Sequence, residues 1–165
     1  MEHLTGNTTE QKRELILHII QPGLSGLMDG SVSSLAPLFA AALSTHNSHT
    51  TFLIGMATAV GAGISMAFSE ALSDDGKLSG RGNPIKRGFV CGMMTFIGAA
   101  GHVFPFLIPS FHIAMAIAVL VVSIELLAIA WIRHRYMDTA LIKAVFQIVI
   151  GGVIVFFAGV LIGGS

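Results

Sequence analysis

Three carboxylates stand within or beside long apolar segments of this chain, and such groups can bind a metal ion or a proton. Asp29 lies in GLSGLMDGSVSSLAP, Glu70 in GAGISMAFSEALS, and Glu125 in an apolar run further on. An ionisable group inside a bilayer costs roughly 2.5–3.5 kcal/mol on insertion scales, so it usually faces a bundle interior or a cavity. We therefore interpret Asp29 as functional. Glu70 and Glu125 stay open between a functional role and a structural one, as a solvated helix end or a hydrogen-bonded carboxyl group.

Helical spacing places further polar groups beside Asp29. Ser25, Asp29 and Ser33 are four residues apart and therefore share one helical face. At about 1.5 Å per residue, Asp29, Met66 and Glu125 lie roughly 9 to 14 Å from the cytoplasmic ends of their helices. We expect these three side chains to meet at similar depth, in a site of carboxylate and thioether groups. Ordinary packing is the alternative for Met66.

Helix-breaking residues are concentrated in the segment that carries Asp29. It contains Pro22, Gly23, Gly26, Gly30 and Pro37. This composition predicts a kinked or locally opened helix, with backbone carbonyl groups that face a cavity. Gly26 and Gly30 also form a GxxxG pair, which is typical of close helix packing. The two interpretations are compatible.

The composition indicates an integral membrane protein. The chain has 165 residues, of which 53% are hydrophobic and 11% charged, and its mean hydropathy is +0.80. Since a crossing helix needs about 20 apolar residues, we predict an all-α bundle of five transmembrane helices, at roughly 16–43, 50–72, 86–108, 111–133 and 139–162. Strands are not expected, because the apolar runs are long and do not alternate. Residues 1–14 are expected to form a cytoplasmic tail without a signal peptide, and residues 15–165 a single membrane domain.

The basic residues predict the orientation of this bundle. Every Lys and Arg falls in the N-terminal tail or near the second and fourth connections, so the N-terminus is expected in the cytoplasm and the C-terminus outside. The nine residues are Lys12, Arg13, Lys77, Arg81, Lys86, Arg87, Arg133, Arg135 and Lys143.

Several other classes of function are disfavoured by the sequence. The net charge is zero, so nothing indicates binding to nucleic acid, and the single cysteine excludes an internal disulfide framework. The histidines are scattered, and neither a zinc-protease pair nor a nucleophile elbow occurs. We therefore expect that the protein is not an enzyme.

The segments GLSGLMDG and GAGISMAFSEALS, together with the expected five spans, resemble the vacuolar iron transporter family, also described as CCC-type iron and manganese carriers. The segments SEALSDDGKLSGRG and IRHRYMDT are still more similar to the membrane halves of bacterial membrane-bound ferritin-type iron exporters. The resemblance implies a homodimer that exports Fe(II), or Mn(II), in exchange for protons, along a path near the dimer interface. It implies no resident cofactor.

The resemblance also implies which residues touch the metal. Asp29 and Met66 would be ligands of the transport path, and a thioether beside a carboxylate favours transition metals over Mg²⁺ and Ca²⁺. Glu70 is a candidate ligand at the cytoplasmic end and Glu125 a further candidate in the membrane. Proton release accompanies metal uptake, because binding needs the ionised carboxylate.

Two features differ from these relatives. The connection between the second and third spans is too short for a cytoplasmic metal-collecting domain, and residues 1–14 contain no ExxH pair. Metal capture is therefore expected to use Glu70, Asp74 and Asp75, or a separate cytosolic iron-binding protein. The expected location is a bacterial inner membrane, with a vacuolar-type membrane as the alternative. The alternative function is a non-transporting scaffold that dimerises through its glycine-rich helices.

Overall fold

The computed structural model describes residues 10–77, 79–137 and 139–164, so most of the predicted tail, residues 1–9, lies outside the described part. The described residues form helices and no strand. Residues 10–15 are α-helical, and six further α-helices follow along the chain: α1 (Gln21–Ser33), α2 (Leu35–Thr45), α3 (Ser48–Ser73), α4 (Pro84–Gly101), α5 (Phe111–Met137) and α6 (Leu141–Gly163). A π-helical turn, Ile16–Ile20, precedes α1, and a 3-10 turn, Phe104–Leu107, follows α4.

Four helical stretches are long and apolar enough, by length and composition, to cross a membrane. They are Glu10–Thr45, which includes α1 and α2, and the helices α3, α5 and α6. The chain is therefore an all-α integral membrane protein, as its composition predicts. The predicted span 86–108 is not one continuous helix, because α4 ends at Gly101 and the chain then enters the 3-10 turn.

The helix that carries Asp29 is irregular at two places. The π-helical turn Ile16–Ile20 ends just before Pro22, which has no N–H group to donate to the preceding turn. A second interruption occurs at Ser34, between α1 and α2, three residues before Pro37. The kink predicted from the glycines and prolines is therefore present.

Two backbone carbonyl groups about one turn before the second interruption accept serine hydroxyl groups. The Ser33 hydroxyl donates to the Asp29 carbonyl oxygen at 2.7 Å, and the Ser34 hydroxyl donates to the Gly30 carbonyl oxygen at 2.6 Å. Serine side chains that bond back along a helix commonly bend it in this way. These two carbonyl groups are thus hydrogen-bonded within the helix, and the expectation that carbonyl groups face a cavity stays a prediction.

The GxxxG pair of α1 packs inside the chain. A Cβ atom added at Gly26 would overlap the carbonyl oxygen of Cys91, and one added at Gly30 would overlap that of Thr95, both on α4. On its other side α4 packs against α3, with Gly92 against Ala67. Small residues therefore let α4 lie close to both neighbours.

The other half of the bundle is built on α2. This helix packs mainly against α6, and the Phe39 and Phe156 rings meet edge to face with centroids 4.7 Å apart. Helix α5 contacts α6 and contributes Val122, Leu126 and Ile129 to the same apolar core. The half of the first span that carries Asp29 therefore lies against α4, and the following half lies against α6.

Candidate functional site

Asp29 and Met66 line the same cavity, as the sequence predicted from their depth. This cavity, the Asp29 cavity, has a volume of about 670 Å³ and is bounded by α1, α3, α5 and α6. All three residues that were predicted to share a helical face, Ser25, Asp29 and Ser33, line this cavity. The lining residues are Ser25, Met28, Asp29, Val32, Ser33, Met66, Arg133, Gln147, Ile148, Gly151 and Val155.

The carboxylate of Asp29 is unpaired within the described part of the chain. Its backbone oxygen accepts the Ser33 hydroxyl, but its side chain makes no hydrogen bond or ion pair with a described residue. Arg133 lines the same cavity and forms no ion pair with Asp29. A half-buried carboxylate without a protein partner is free to bind a cation or a proton from the cavity.

Two further potential ligands in this cavity were missed by the sequence analysis. Met28 supplies a second thioether next to Asp29, and Gln147 supplies a carboxamide from α6. Both side chains are exposed. Gln147 could have been found, because it is the one polar side chain after Lys143 in α6 and shares a face with Gly151, four residues later.

Glu70 is paired with arginines. Its Oε1 accepts from Arg81 Nη2 at 2.8 Å and from Arg87 Nε at 2.9 Å. Asp74 accepts from the same two arginines, at 3.3 Å from Arg81 and 3.1 Å from Arg87. We call Glu70, Asp74, Arg81 and Arg87 the ion-pair cluster. The positive charge of these two guanidinium groups disfavours a metal ion at Glu70.

Arg87 holds the connection between α3 and α4 in place. Its side chain is fully buried, and its Nη1 also donates to the carbonyl oxygens of Arg81 and Gly82, at 3.1 and 3.2 Å. Burial of the Asp74 carboxyl raises its pKa, but hydrogen bonds from the Ser79 hydroxyl and the Gly76 amide, together with the charge of Arg87, outweigh this. The pKa of Asp74 therefore lies below its ordinary value of 3.8.

Glu125 does not line the Asp29 cavity. The expectation that it meets Asp29 and Met66 is therefore wrong. Its Oε2 lies 2.9 Å from Nδ1 of the fully buried His102, and Nε2 of His102 lies 2.8 Å from the Ser34 hydroxyl. These contacts join α5 and the end of α4 to the interruption between α1 and α2. The position of Glu125 therefore agrees with the structural alternative, in which it is a hydrogen-bonded carboxyl group.

Among residues 10–77, 79–137 and 139–164, no group of three or more His, Cys, Asp or Glu side chains is placed to hold a metal ion. The Asp29 cavity of a single chain therefore offers one carboxylate, two thioethers and neutral oxygen or nitrogen groups. No family model, no curated protein and no solved structure matches this chain. The function is therefore inferred from the residues that line the Asp29 cavity.

Proposed function

We propose that the protein is a proton-coupled secondary transporter that exports Fe(II) from the cytosol, with Mn(II) as an alternative cargo. The observation that carries this proposal is the Asp29 carboxylate, which is unpaired among the described residues and lines one cavity with the Met66 thioether. The carboxylate supplies charge for a divalent ion, and the thioether favours a transition metal. The resemblance of GLSGLMDG and GAGISMAFSEALS to vacuolar iron transporters supports the same pair of ligands.

Proton coupling follows from the chemistry of this carboxylate. A metal ion binds the ionised form of Asp29, and a proton competes with the metal for the same oxygens. When the cavity opens to the side from which protons arrive, protonation of Asp29 releases the ion. When it opens to the cytosol, Fe(II) replaces the proton.

Charge favours a site shared by two copies of the chain. In one chain Asp29 is the one carboxylate that lines the described cavity, and Arg133 lines the same cavity without pairing with it. A divalent ion therefore needs further negative charge, which the Asp29 of a second copy supplies. The exposed position of Gln147 on the cavity wall supports a homodimer that covers this opening, since a polar side chain that faces lipid is costly.

The proposed membrane arrangement has five crossings, in which α4 and the following 3-10 turn form the third. The N-terminus lies in the cytosol, and the membrane is a bacterial inner membrane, with a vacuolar-type membrane as the alternative. Because Glu70 is engaged with Arg81 and Arg87, delivery by a separate cytosolic iron-binding protein is preferred over direct capture. The alternative, a scaffold that dimerises through glycine-rich helices, loses the support of Gly26 and Gly30, which contact α4 of the same chain.

Flux into proteoliposomes tests the role of Asp29. Under a pH gradient, the intact protein is expected to move Fe(II) and Mn(II), and the Asp29→Asn variant is expected to lower both fluxes to the background of empty liposomes. Glu14→Gln is the matched control, because Glu14 is an exposed carboxylate that does not line the cavity. Flux of Asp29→Asn equal to that of the intact protein would remove Asp29 from the mechanism. Absent flux of every divalent ion by the intact dimer would favour the scaffold.

The role of the thioether is tested in the same assay. Met66→Leu keeps the volume and removes the sulfur, so we expect weaker Fe(II) flux and a smaller preference for Fe(II) over Mg²⁺. Met56→Leu is the matched control on the same helix, because Met56 packs against apolar core residues. If Met66→Leu transports with unchanged preference, its sulfur only fills space.

A further inference from the structure

A second cavity lies beside the Asp29 cavity, at the end of the bundle where α3 and α5 terminate. It has a volume of about 290 Å³, and we call it the basic cavity because Arg81 and Arg133 both line it. Arg133 lies four residues before the end of α5 at Met137, which is about 6 Å along the helix axis. Glu70, three residues before the end of α3, lies on another wall.

The charge that the basic cavity presents is that of Arg133. In the ion-pair cluster the two guanidinium groups of Arg81 and Arg87 balance the two carboxylates of Glu70 and Asp74. Arg133 has no hydrogen-bond or ion-pair partner among the described residues. The cavity therefore carries one uncompensated positive charge close to the helix ends, where a bilayer places its headgroups.

Two neutral features of the basic cavity indicate what kind of anion it accepts. The Oε1 atom of Gln21 is buried and has no hydrogen-bond partner in the described chain, so a donor on the ligand would satisfy it. Leu24, Ile129 and Met137 contribute apolar surface to the wall. A free phosphate ion gains nothing from such walls, whereas the glycerol and first acyl carbons of a lipid pack against them.

We infer that the basic cavity binds an anionic phospholipid, with the headgroup phosphate at Arg133, a headgroup hydroxyl at Gln21 and the acyl end along Ile129. Basic pockets between membrane helices at the cytoplasmic side are a common form of lipid headgroup site. The inference depends on the chain being a membrane protein and not on metal transport. The lipid would occupy the space next to the Asp29 cavity, since Ser25, Met28 and Arg133 line both.

Native mass spectrometry of the full chain in detergent tests this site, with phosphatidylglycerol and phosphatidylcholine as the lipids. The intact protein is expected to retain one phosphatidylglycerol per chain in preference to phosphatidylcholine. Arg133→Gln is expected to weaken retention about tenfold, the effect of one lost charge-assisted hydrogen bond. Arg135→Gln is the matched control, because it removes the same charge from the same helical turn at an exposed position outside the cavity.

A second variant reaches the same site without removing Arg133. Gln21→Glu keeps the side-chain shape and adds a negative charge. It should therefore also weaken the retention of phosphatidylglycerol, while the weak retention of phosphatidylcholine stays unchanged. If Arg133→Gln and Arg135→Gln lost phosphatidylglycerol equally, the preference would come from general surface charge, and the inferred site would be wrong. Displacement of the lipid by millimolar inorganic phosphate would assign the cavity to free phosphate instead. Equal retention of the two lipids by the intact protein would also overturn the inference.

Discussion

The carboxylate of Glu125 lies 2.9 Å from Nδ1 of His102, a histidine with no exposed surface. The other ring nitrogen meets the Ser34 hydroxyl, which itself donates to the Gly30 carbonyl oxygen. Because that hydroxyl proton is already used, Nε2 of His102 is the donor toward Ser34, and Nδ1 is left to Glu125. Glu125 therefore satisfies a buried histidine at the point where the first membrane helix is interrupted.

This contact predicts that Glu125 contributes to stability more than to metal binding. Glu125→Leu leaves Nδ1 of His102 buried without a partner, which should lower the free energy of unfolding in detergent by about 1–3 kcal/mol. Glu125→Gln is the control, since its amide can still hydrogen-bond the ring, and it should lose less. Metal affinity measured by anaerobic titration should stay near that of the intact protein in both. Abolished Fe(II) binding with unchanged stability would instead make Glu125 a ligand.

The close approach of α1 to α4 predicts an asymmetry among glycine substitutions. Gly30→Ala places a methyl group against the backbone carbonyl of Thr95, which cannot move aside as a side chain can. We expect a loss of about 1–3 kcal/mol in the free energy of unfolding, the usual cost of overpacking. Gly61→Ala is the matched control on α3, because a Cβ atom there meets nothing within 4 Å. It should be neutral or gain up to about 1 kcal/mol from helix propensity.

The same pair of variants separates packing within the chain from packing between chains. If Gly30→Ala left stability unchanged but dissociated the proposed dimer, the GxxxG pair would belong to an interface between copies. If Gly61→Ala dissociated the dimer, the open surface around Gly61 would be part of that interface. Size-exclusion chromatography with light scattering measures both outcomes.

The sequence predicted the meeting of Asp29 and Met66, because apolar runs define span ends and counting residues from those ends gives depth. The same counting placed Glu125 with them and was wrong in that respect. Depth says nothing about the direction in which a side chain leaves its helix, and Glu125 points toward His102 and not toward the Asp29 cavity. The prediction for Ser25, Asp29 and Ser33 was correct because their four-residue spacing also predicts the face of the helix on which they lie.

The ion-pair cluster could not be predicted from the sequence. The connection DDGKLSGRGNPIKR resembles an ordinary solvated loop, and a fully buried arginine in it depends on contacts across 17 residues, from Glu70 to Arg87. The sequence did indicate where the next helix begins. Asn83 before Pro84 marks the start of α4, and its side chain accepts from the amides of Ile85 and Lys86.

Burial of Arg87 predicts that it anchors the connection between α3 and α4. Arg87→Met removes one of two guanidinium groups between Glu70 and Asp74, so we expect a loss of about 3 kcal/mol in the free energy of unfolding. This is the low end of the range for breaking a buried pair, because Arg81 still holds both carboxylates. Lys86→Met is the matched control at an exposed neighbouring position. Equal stability of the two variants would show that the cluster adds nothing to the fold.

The lowered pKa of Asp74 predicts that acid loosens this connection. A carboxyl group whose pKa is lower in the folded state than in the unfolded state stabilises the fold above its ordinary value, here 3.8, and this contribution is lost as the pH falls through the folded pKa. The difference in unfolding free energy between the intact protein and Asp74→Asn should therefore be constant above that value and shrink below it. Measurement of unfolding in detergent at a series of pH values gives this difference directly. In the Arg87→Met background the difference above that value should be smaller, and its loss should be complete at a higher pH, since the charge of Arg87 no longer lowers the folded-state pKa of Asp74. A difference between intact protein and Asp74→Asn that stays constant through the acid range would remove Asp74 from the ion-pair cluster.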